Sequence, residues 1–244
     1  IRECFVPRRG YVFALCDYNY VELVTLAQVC IWKFGFSALG DAINAGRDPH
    51  LYMAAGLLGI TYEDAYERRK EPAIKEARQR AKAIGFGRPG GLGDESFMAY
   101  AAATYGVHMD RQEAKASKEA WLRTYPEMRS YLDYFGRLSM GDREFAGTQL
   151  PTGRVRGGCS YTSGANTGFQ GPAADGIKRA GWYVTKECYL ADPYRNGAGP
   201  TPLFGSYVVA MLHDELILEV PEHRAHEACL RLSDRMIVGM REMV

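Results

Sequence analysis

The sequence has no long hydrophobic run. No apolar segment approaches the roughly 20 residues that a membrane-spanning helix needs, and the opening IRECFVPRRG lacks the apolar stretch of a secretory signal. We therefore expect no membrane partner and no export. Internal repeats and low-complexity tracts are also absent, so 244 residues with 47% hydrophobic content predict one large globular domain or two smaller ones.

Closely spaced cysteine pairs are also missing. We expect reduced thiols, most of them buried, because disulfide frameworks belong to smaller secreted chains. The six cysteines are Cys4, Cys16, Cys30, Cys159, Cys188 and Cys229. The segment HRAHEAC places His223, His226 and Cys229 at helical spacing. A metal site is one interpretation of that spacing, and a solvated helix face is the favoured one.

A strong net charge is absent as well, since the formal charge is only +1. The distribution is nevertheless uneven, because residues 67–82 contain seven basic and three acidic residues. Such a stripe could bind phosphates, although charge runs are usually solvated helix faces.

The apolar pattern places strands near both ends of the chain and helices between them. YVFALCD is typical of a strand that ends at Asp17, and RDPHLYMAAGLLG predicts a helix that Asp48 caps and Pro49 begins. TGRVRGG and TSGANTGFQG are typical of loops, whereas PAADGIKRAGWYVTKECYL and the C-terminal segment predict helices. The order indicates an α+β fold in which a helical insertion divides a sheet domain.

Three polar residues interrupt the β-rich segment VVAMLHDELILEV at positions 208–220. Buried carboxylates are costly unless they are paired, protonated or bound to a metal, so we expect a hairpin whose tip presents His213, Asp214 and Glu215. Asp17 and Asp214 would then meet at one edge of the sheet. Adjacent carboxylates repel each other, and a bound Mg²⁺ ion usually offsets this repulsion. The same ion can bridge to substrate phosphates.

Arg78, Lys82 and Phe86 are spaced by four, so they share one helix face. Two cations and a ring could hold a nucleoside triphosphate; a surface helix whose aromatic end packs into the core is the alternative. GFGRPG at 85–90 matches the dinucleotide-binding pattern GxGxxG. It follows a cationic helical stretch instead of a strand, which argues against that function.

These segments together resemble the family A DNA polymerases, the group of bacterial DNA polymerase I and the phage replicases. DYNYVEL is similar to the first polymerase motif, RQRAKAIGFG to the second and HDE to the third, in that order. TYPEMRSYLDYF, TGRVRGG and GFQGPAADGIK extend the similarity over nearly the whole chain. The resemblance implies a right-hand polymerase fold, with an antiparallel palm sheet in residues 1–33 and 166–244 and a large helical fingers insertion in residues 34–165.

The resemblance also implies DNA synthesis, in which deoxynucleoside triphosphates are added to a primer 3′-hydroxyl on a DNA primer-template, with release of pyrophosphate. Asp17 and Asp214 would bind two Mg²⁺ ions, and Tyr18 would lend a backbone carbonyl. Glu215 would support this cluster, and His213 would lie beside the primer terminus.

Further roles concern the nucleotide. Arg78 and Lys82 would grip the triphosphate, and Lys82 could protonate the departing pyrophosphate. His50 would contact the phosphates and Phe86 the nucleotide. Glu22 would block a ribose 2′-hydroxyl and so select deoxynucleotides.

Asn166 and Gln170 match positions that contact the primer-template. Gly90 is a departure, because the bacterial enzymes have a tyrosine there that closes the site and backs the sugar-selecting glutamate. Tyr20 replaces a common glutamine, and FGRPGGLG resembles a phage-type variant. Arg2 lies in the segment that leads into the palm strand.

The motifs further predict a fragment that lacks the thumb and exonuclease domains and stops before the last palm strand. We expect a cytoplasmic location, in the host cytoplasm if a phage encodes the chain. A single-subunit RNA polymerase is the nearest alternative function, and Glu22 favours DNA. A catalytically inactive nucleic-acid-binding relic is disfavoured by the intact acids and cations, and a metal hydrolase lacks convincing further ligands.

Overall fold

The computed structural model describes residues 4–140 and 143–244. The described residues form two compact units. We call the residues up to Val21 together with Pro172–Val244 the sheet unit, and Glu22–Gly171 the helical unit. No helix of the described residues is long and apolar enough to cross a membrane.

The strands are β1 (Tyr11–Asp17), β2 (Phe145–Thr148), β3 (Val155–Cys159), β4 (Tyr207–Leu212) and β5 (Glu215–Pro221). The helices are α1 (Val21–Phe34), α2 (Ala38–Asn44), α3 (Pro49–Leu58), α4 (Tyr62–Glu67), α5 (Pro72–Gly87), α6 (Asp94–Tyr105), α7 (Arg111–Thr124), α8 (Glu127–Leu138), α9 (Tyr161–Tyr189) and α10 (Ala225–Arg241).

The sheet unit contains an antiparallel sheet with the strand order β1-β5-β4. Alternate residues of β5, which are Leu216, Leu218 and Val220, are fully buried against one helical layer. In α10 the buried positions include Leu232 and Met236, spaced by four, so one helix stripe packs on that face. Each buried leucine contributes roughly 2 kcal/mol through the apolar surface that it removes from water.

The helical unit is built from helices with clear local end signals. Asp48 caps α3 by accepting hydrogen bonds from the backbone N–H groups of His50 (2.9 Å) and Leu51 (3.1 Å). Gly59 ends this helix with a φ of 67°, a left-handed conformation that costs glycine little. The predicted cap, the proline at the first position and the glycine stop of α3 are all confirmed.

One prediction about loops is wrong, because α9 already begins at Tyr161 and includes TSGANTGFQG. The glycines of this segment allow close helix packing. A Cβ atom on Gly164 would collide with the Phe145 ring, and one on Gly168 would lie 2.5 Å from the Tyr131 hydroxyl. Tertiary packing therefore overrides the low helix propensity of glycine.

The prediction of a loop over TGRVRGG is also wrong for the second half of this segment, which belongs to β3 and pairs antiparallel with β2. The Gln149 N–H donates to the Arg154 carbonyl (2.8 Å), and Gly153, with a φ of 71°, allows the tight connection. Most of β3 is exposed, so it lacks the apolar alternation that predicts a strand. Glu215, expected in the hairpin tip, is instead the first residue of β5.

Candidate active site

Strand pairing brings three acids together at one edge of the sheet unit. Asp17 is the last residue of β1 and lies opposite Glu215, the first residue of β5. The Tyr18 N–H donates to the Asp214 carbonyl oxygen (3.4 Å), which ties the end of β1 to the hairpin tip. The predicted convergence of Asp17 and Asp214 is therefore confirmed for the backbone.

The hairpin tip consists of His213 and Asp214, between Leu212 and Glu215, which pair with each other. His213 has a φ of 53°, in the left-handed region that histidine adopts more readily than bulky or branched residues do. Its side chain is exposed, and that of Asp214 is half-buried. The turn thus presents both polar side chains at the end of the sheet.

The carboxylate oxygens at this edge are the kind of ligand that a magnesium ion prefers. The described residues include no group of three or more His, Cys, Asp or Glu side chains placed to hold a metal. Mg²⁺ does not require one, since it is usually bound through one or two carboxylates together with waters and substrate phosphates. Asp17 and Asp214 supply such a pair of carboxylates.

Tyr18 is anchored through its side chain. Its hydroxyl donates to the Met236 carbonyl oxygen (2.5 Å), and burial raises the pKa of the phenol. With the ring held in this way, the backbone carbonyl of Tyr18 is the group that could serve a metal beside Asp17. The interpretation of His223, His226 and Cys229 as a metal site gains no support, because these residues form no metal-holding group in the described part of the chain.

The helical unit carries the cationic helix face on α5. Arg78 donates to one carboxylate oxygen of Asp48 through Nε (3.0 Å) and Nη2 (2.7 Å). Burial acts to raise the pKa of Asp48, but hydrogen bonds from Arg78 and from the α3 backbone together lower it. Asp48 therefore stays ionised and ties α5 to the first turn of α3.

His50 lies in the first turn of α3 and is only 4% exposed. Its ring centroid lies 5.6 Å from that of Phe86. The pKa of His50 is lowered to about 4, chiefly by burial; the charge of Asp48 opposes this shift, and the nearby Arg78 and Lys82 add to it. His50 is thus a neutral imidazole at neutral pH, so any contact with phosphate would be a hydrogen bond from a neutral donor.

Four further candidates form two contacts within the helical unit. The Gln170 Nε2 group donates to a carboxylate oxygen of Glu22 (3.3 Å). A Cβ atom on Gly90 would lie 2.7 Å from Oδ1 of Asn166. The side chain of Asn166 therefore occupies the space that a side chain at position 90 would enter, which sequence alone does not indicate.

Tyr105 is a residue that the sequence analysis missed. Its ring stacks on that of Phe86, with centroids 6.4 Å apart and an interplanar angle of 4°. It lies at the end of α6, outside every motif quoted above, so no local signal identifies it. Arg2 lies outside the described residues.

A family model described as DNA polymerase family A matches residues 1–242. DNA polymerase I of Aquifex aeolicus is 26% identical over 227 residues, which cover 93% of this chain and 35% of that protein. The enzyme of Lactococcus lactis subsp. lactis is 29% identical over 232 residues, covering 91% of this chain and 23% of that protein. The chain thus spans about a quarter to a third of the length of these relatives.

Among solved structures, the POL domain of Pol1 from M. smegmatis, in complex with DNA primer-template and dNTP, matches with a TM-score of 0.71. The alignment has 23% sequence identity and covers 100% of this chain and 39% of that one. This likeness confirms the expected α+β polymerase fold.

Proposed function

The chain belongs to DNA polymerase family A, and from that premise we propose that it carries out template-directed DNA synthesis. It would add deoxynucleoside triphosphates to the 3′-hydroxyl of a primer on a DNA template and release pyrophosphate. In this proposal the palm comprises residues 1–33 and 166–244, which include the sheet unit, and the fingers comprise residues 34–165, which make up most of the helical unit.

The observation that carries the proposal is the carboxylate edge of the sheet unit. Asp17 and Asp214 are 197 positions apart in the sequence, yet the pairing of β1 with β5 places them at one sheet end. Carboxylates at one sheet edge would repel a polyanionic substrate, so a simple DNA-binding protein gains nothing from them. Such a pair is useful where a divalent cation must be held.

Asp17 and Asp214 would hold two magnesium ions, with the Tyr18 carbonyl as a further ligand and Glu215 supporting the cluster. When bound, magnesium would lower the pKa of the primer hydroxyl and neutralise charge on the phosphates. His213, exposed at the hairpin tip, would contact the primer end.

The cationic face of α5 would bind the triphosphate. The planar guanidinium of Arg78 would donate hydrogen bonds to the phosphates. The ammonium of Lys82 would bind them as a point charge on a flexible side chain. Lys82 would also give a proton to the departing pyrophosphate. Phe86 would pack against the nucleotide, and neutral His50 would donate a hydrogen bond to a phosphate oxygen.

The remaining candidate residues of the helical unit would select the sugar of the nucleotide and contact the primer-template. Glu22, positioned in part by Gln170 (3.3 Å), would exclude a ribose 2′-hydroxyl. Asn166 and Gln170 would contact the primer-template, and Gly90 would let the chain approach it closely.

Primer extension tests the proposal. The full-length polypeptide is given a primer-template of defined sequence, Mg²⁺ and either dNTPs or NTPs, with a chelator control and the double variant D17N/D214N as the background control. We expect dNTP addition that copies the template and disappears with the chelator and in the double variant. Preferential NTP addition would instead support an RNA polymerase, and DNA binding without extension would support an inactive relic.

A further inference from the structure

A cavity of about 470 Å³ lies beside the cationic face of α5 in the helical unit. Its lining includes three cations, Arg69, Lys75 and Arg78, and one acid, Asp48. Asp48 is bound to Arg78 (2.7 Å), so the excess positive charge is carried by Arg69 and Lys75. A concave site with this charge favours an anionic ligand.

Arg69 is held at the cavity by two contacts with Tyr66. Its Nη1 donates to the Tyr66 carbonyl oxygen (2.7 Å), and its guanidinium carbon lies 4.2 Å from the centroid of the Tyr66 ring. That ring in turn stacks on Tyr62, with centroids 6.0 Å apart. A guanidinium carries several N–H donors in a rigid plane, so a group held in this way can still donate to an anion.

Lys75 extends the cationic face of α5 by one turn. It lies three positions before Arg78 and seven before Lys82, so the three side chains share one side of the helix. With a rise of roughly 1.5 Å per residue, Lys75 lies about 4.5 Å from Arg78 along the helix axis, and Arg78 about 6 Å from Lys82. The face therefore runs from Phe86, past Lys82 and Arg78, to the cavity.

The two acids nearest to Lys75 in the sequence pair with arginines outside the cavity lining. Glu71 forms an ion pair with Arg68 (2.9 Å), and Glu76 forms one with Arg80 (3.2 Å). The positive charge of Lys75, which is exposed, can therefore act on a ligand in the cavity.

We propose that this cavity binds a pyrophosphate group, which Arg69 and Lys75 contact from outside the polymerase motifs. The inference rests on the proposed function and deepens it. If Lys82 and Arg78 grip the triphosphate, its terminal phosphates point along α5 towards the cavity. Those two phosphates are the pyrophosphate that leaves, and cations on two sides of the cavity suit its charged oxygens.

The double variant R69Q/K75Q removes both charges, and the fold should tolerate it because both residues are exposed. R68Q/K70Q is the matched control, since it removes one arginine and one lysine charge from exposed neighbours outside the cavity lining. For each full-length protein we would measure binding of radiolabelled pyrophosphate by equilibrium dialysis without DNA. Primer extension would give the inhibition constant of pyrophosphate and the KM for dNTP, and a titration would give the primer-template affinity.

We expect R69Q/K75Q to weaken pyrophosphate binding in dialysis and to raise the inhibition constant about tenfold, the effect of one lost charge-assisted hydrogen bond. R68Q/K70Q should behave as wild type does. Both possible changes in KM support the site: an equal rise in the KM for dNTP means that the group is bound while still part of the nucleotide, and an unchanged KM means that it is bound after release.

Equal pyrophosphate binding in the two double variants would overturn the inference, because the cavity would then have no special role. A loss of primer-template affinity without a loss of pyrophosphate binding would also overturn it and assign these cations to DNA. A wild type that binds pyrophosphate through Arg69 and Lys75 but does not extend primers would overturn the proposed function and leave the site supported.

Discussion

The sheet unit and the helical unit present their charged residues in different ways. In the sheet unit, Asp17 and Asp214 come from opposite ends of the chain and meet only because β1 pairs with β5. In the helical unit, Arg78, Lys82 and Phe86 lie within one helix, where the helical repeat alone aligns them. The acids therefore depend on long-range pairing, whereas the cations depend on local structure.

This contrast predicts different responses to mutation. Removing a charge from the carboxylate edge should chiefly lower the rate, because under the proposed function the acids would hold the cations that act on the reacting groups. Removing a charge from α5 should chiefly weaken nucleotide binding. The following variants test the difference, beginning with the largest expected effect.

Asp214→Asn and Asp17→Asn should each lower kcat for primer extension by a factor on the order of 100 to 1,000, the range seen when one preorganised electrostatic group is removed. Primer-template affinity should change little, and steady-state kinetics with a DNA-binding titration measures both. E227Q, which neutralises an exposed acid on α10 of the same unit, is the control. Activity of both Asp variants at the level of E227Q would remove the basis of the proposed function.

Glu187→Gln should destabilise the protein by roughly 3 kcal/mol, as expected when a buried ion pair loses one partner. The carboxylate is fully buried in the sheet unit and accepts two hydrogen bonds from Arg231, both 2.7 Å long. Arg231 and the adjacent Arg235 would lose their buried counter-charge. Denaturant unfolding measures the loss.

Glu127→Gln is the matched change in the helical unit. Glu127 is also fully buried, but it accepts from the Ser37 hydroxyl (2.8 Å) and the Leu39 N–H (3.0 Å), neither of which is charged. An amide oxygen can accept both hydrogen bonds, so we expect a loss of about 1 kcal/mol or less. Equal losses in the two variants would contradict this account of the two buried glutamates.

Because of His50, the folding stability of the helical unit should decrease in acid. Its pKa is lowered from 6.5 to about 4 by burial, so the unfolded chain binds a proton more readily than the folded one between those values. Stability is therefore retained above about pH 6.5 and falls as the pH drops towards 4, by about 2 kcal/mol at pH 5.

Unfolding free energies at pH 7 and pH 5 measure this effect, and H50Q should remove most of the contribution. H108Q, which changes an exposed histidine of the same unit, should keep the wild-type dependence. An identical pH dependence in H50Q and wild type would show that His50 is not the responsible group.

Arg78→Gln should raise the KM for dNTP about tenfold, the effect of one lost charge-assisted hydrogen bond, with a smaller change in kcat. Arg80→Gln is the control, because Arg80 forms ion pairs with Glu76 (3.2 Å) and Glu113 (3.4 Å) instead of Asp48. A fall in kcat without a change in KM for R78Q would weaken the distinction between the two units.

Several elements could be predicted from local patterns. The strand ending at Asp17, the α3 cap at Asp48 and the α5 face are examples, because alternation, capping and helical repeat are properties of neighbouring residues. The early start of α9 and strand β3 could not be predicted in this way. Both contain glycines, whose local conformational preference opposes the helix and the strand that packing and pairing produce. Within the site, the shared face of Arg78, Lys82 and Phe86 follows from the helical repeat, whereas the meeting of Asp17 with Asp214 depends on the pairing of β1 with β5.

The amino-acid order is enough to assign each acid, cation and aromatic ring to a helix face or a strand end, because those assignments follow from short-range geometry. Long-range folding is needed to bring Asp17 opposite Glu215, to fill the space at Gly90 with Asn166 and to stack Tyr105 on Phe86. Those contacts join residues far apart in sequence, and they form only when burial of the surrounding apolar side chains offsets the entropy lost in closing the intervening chain.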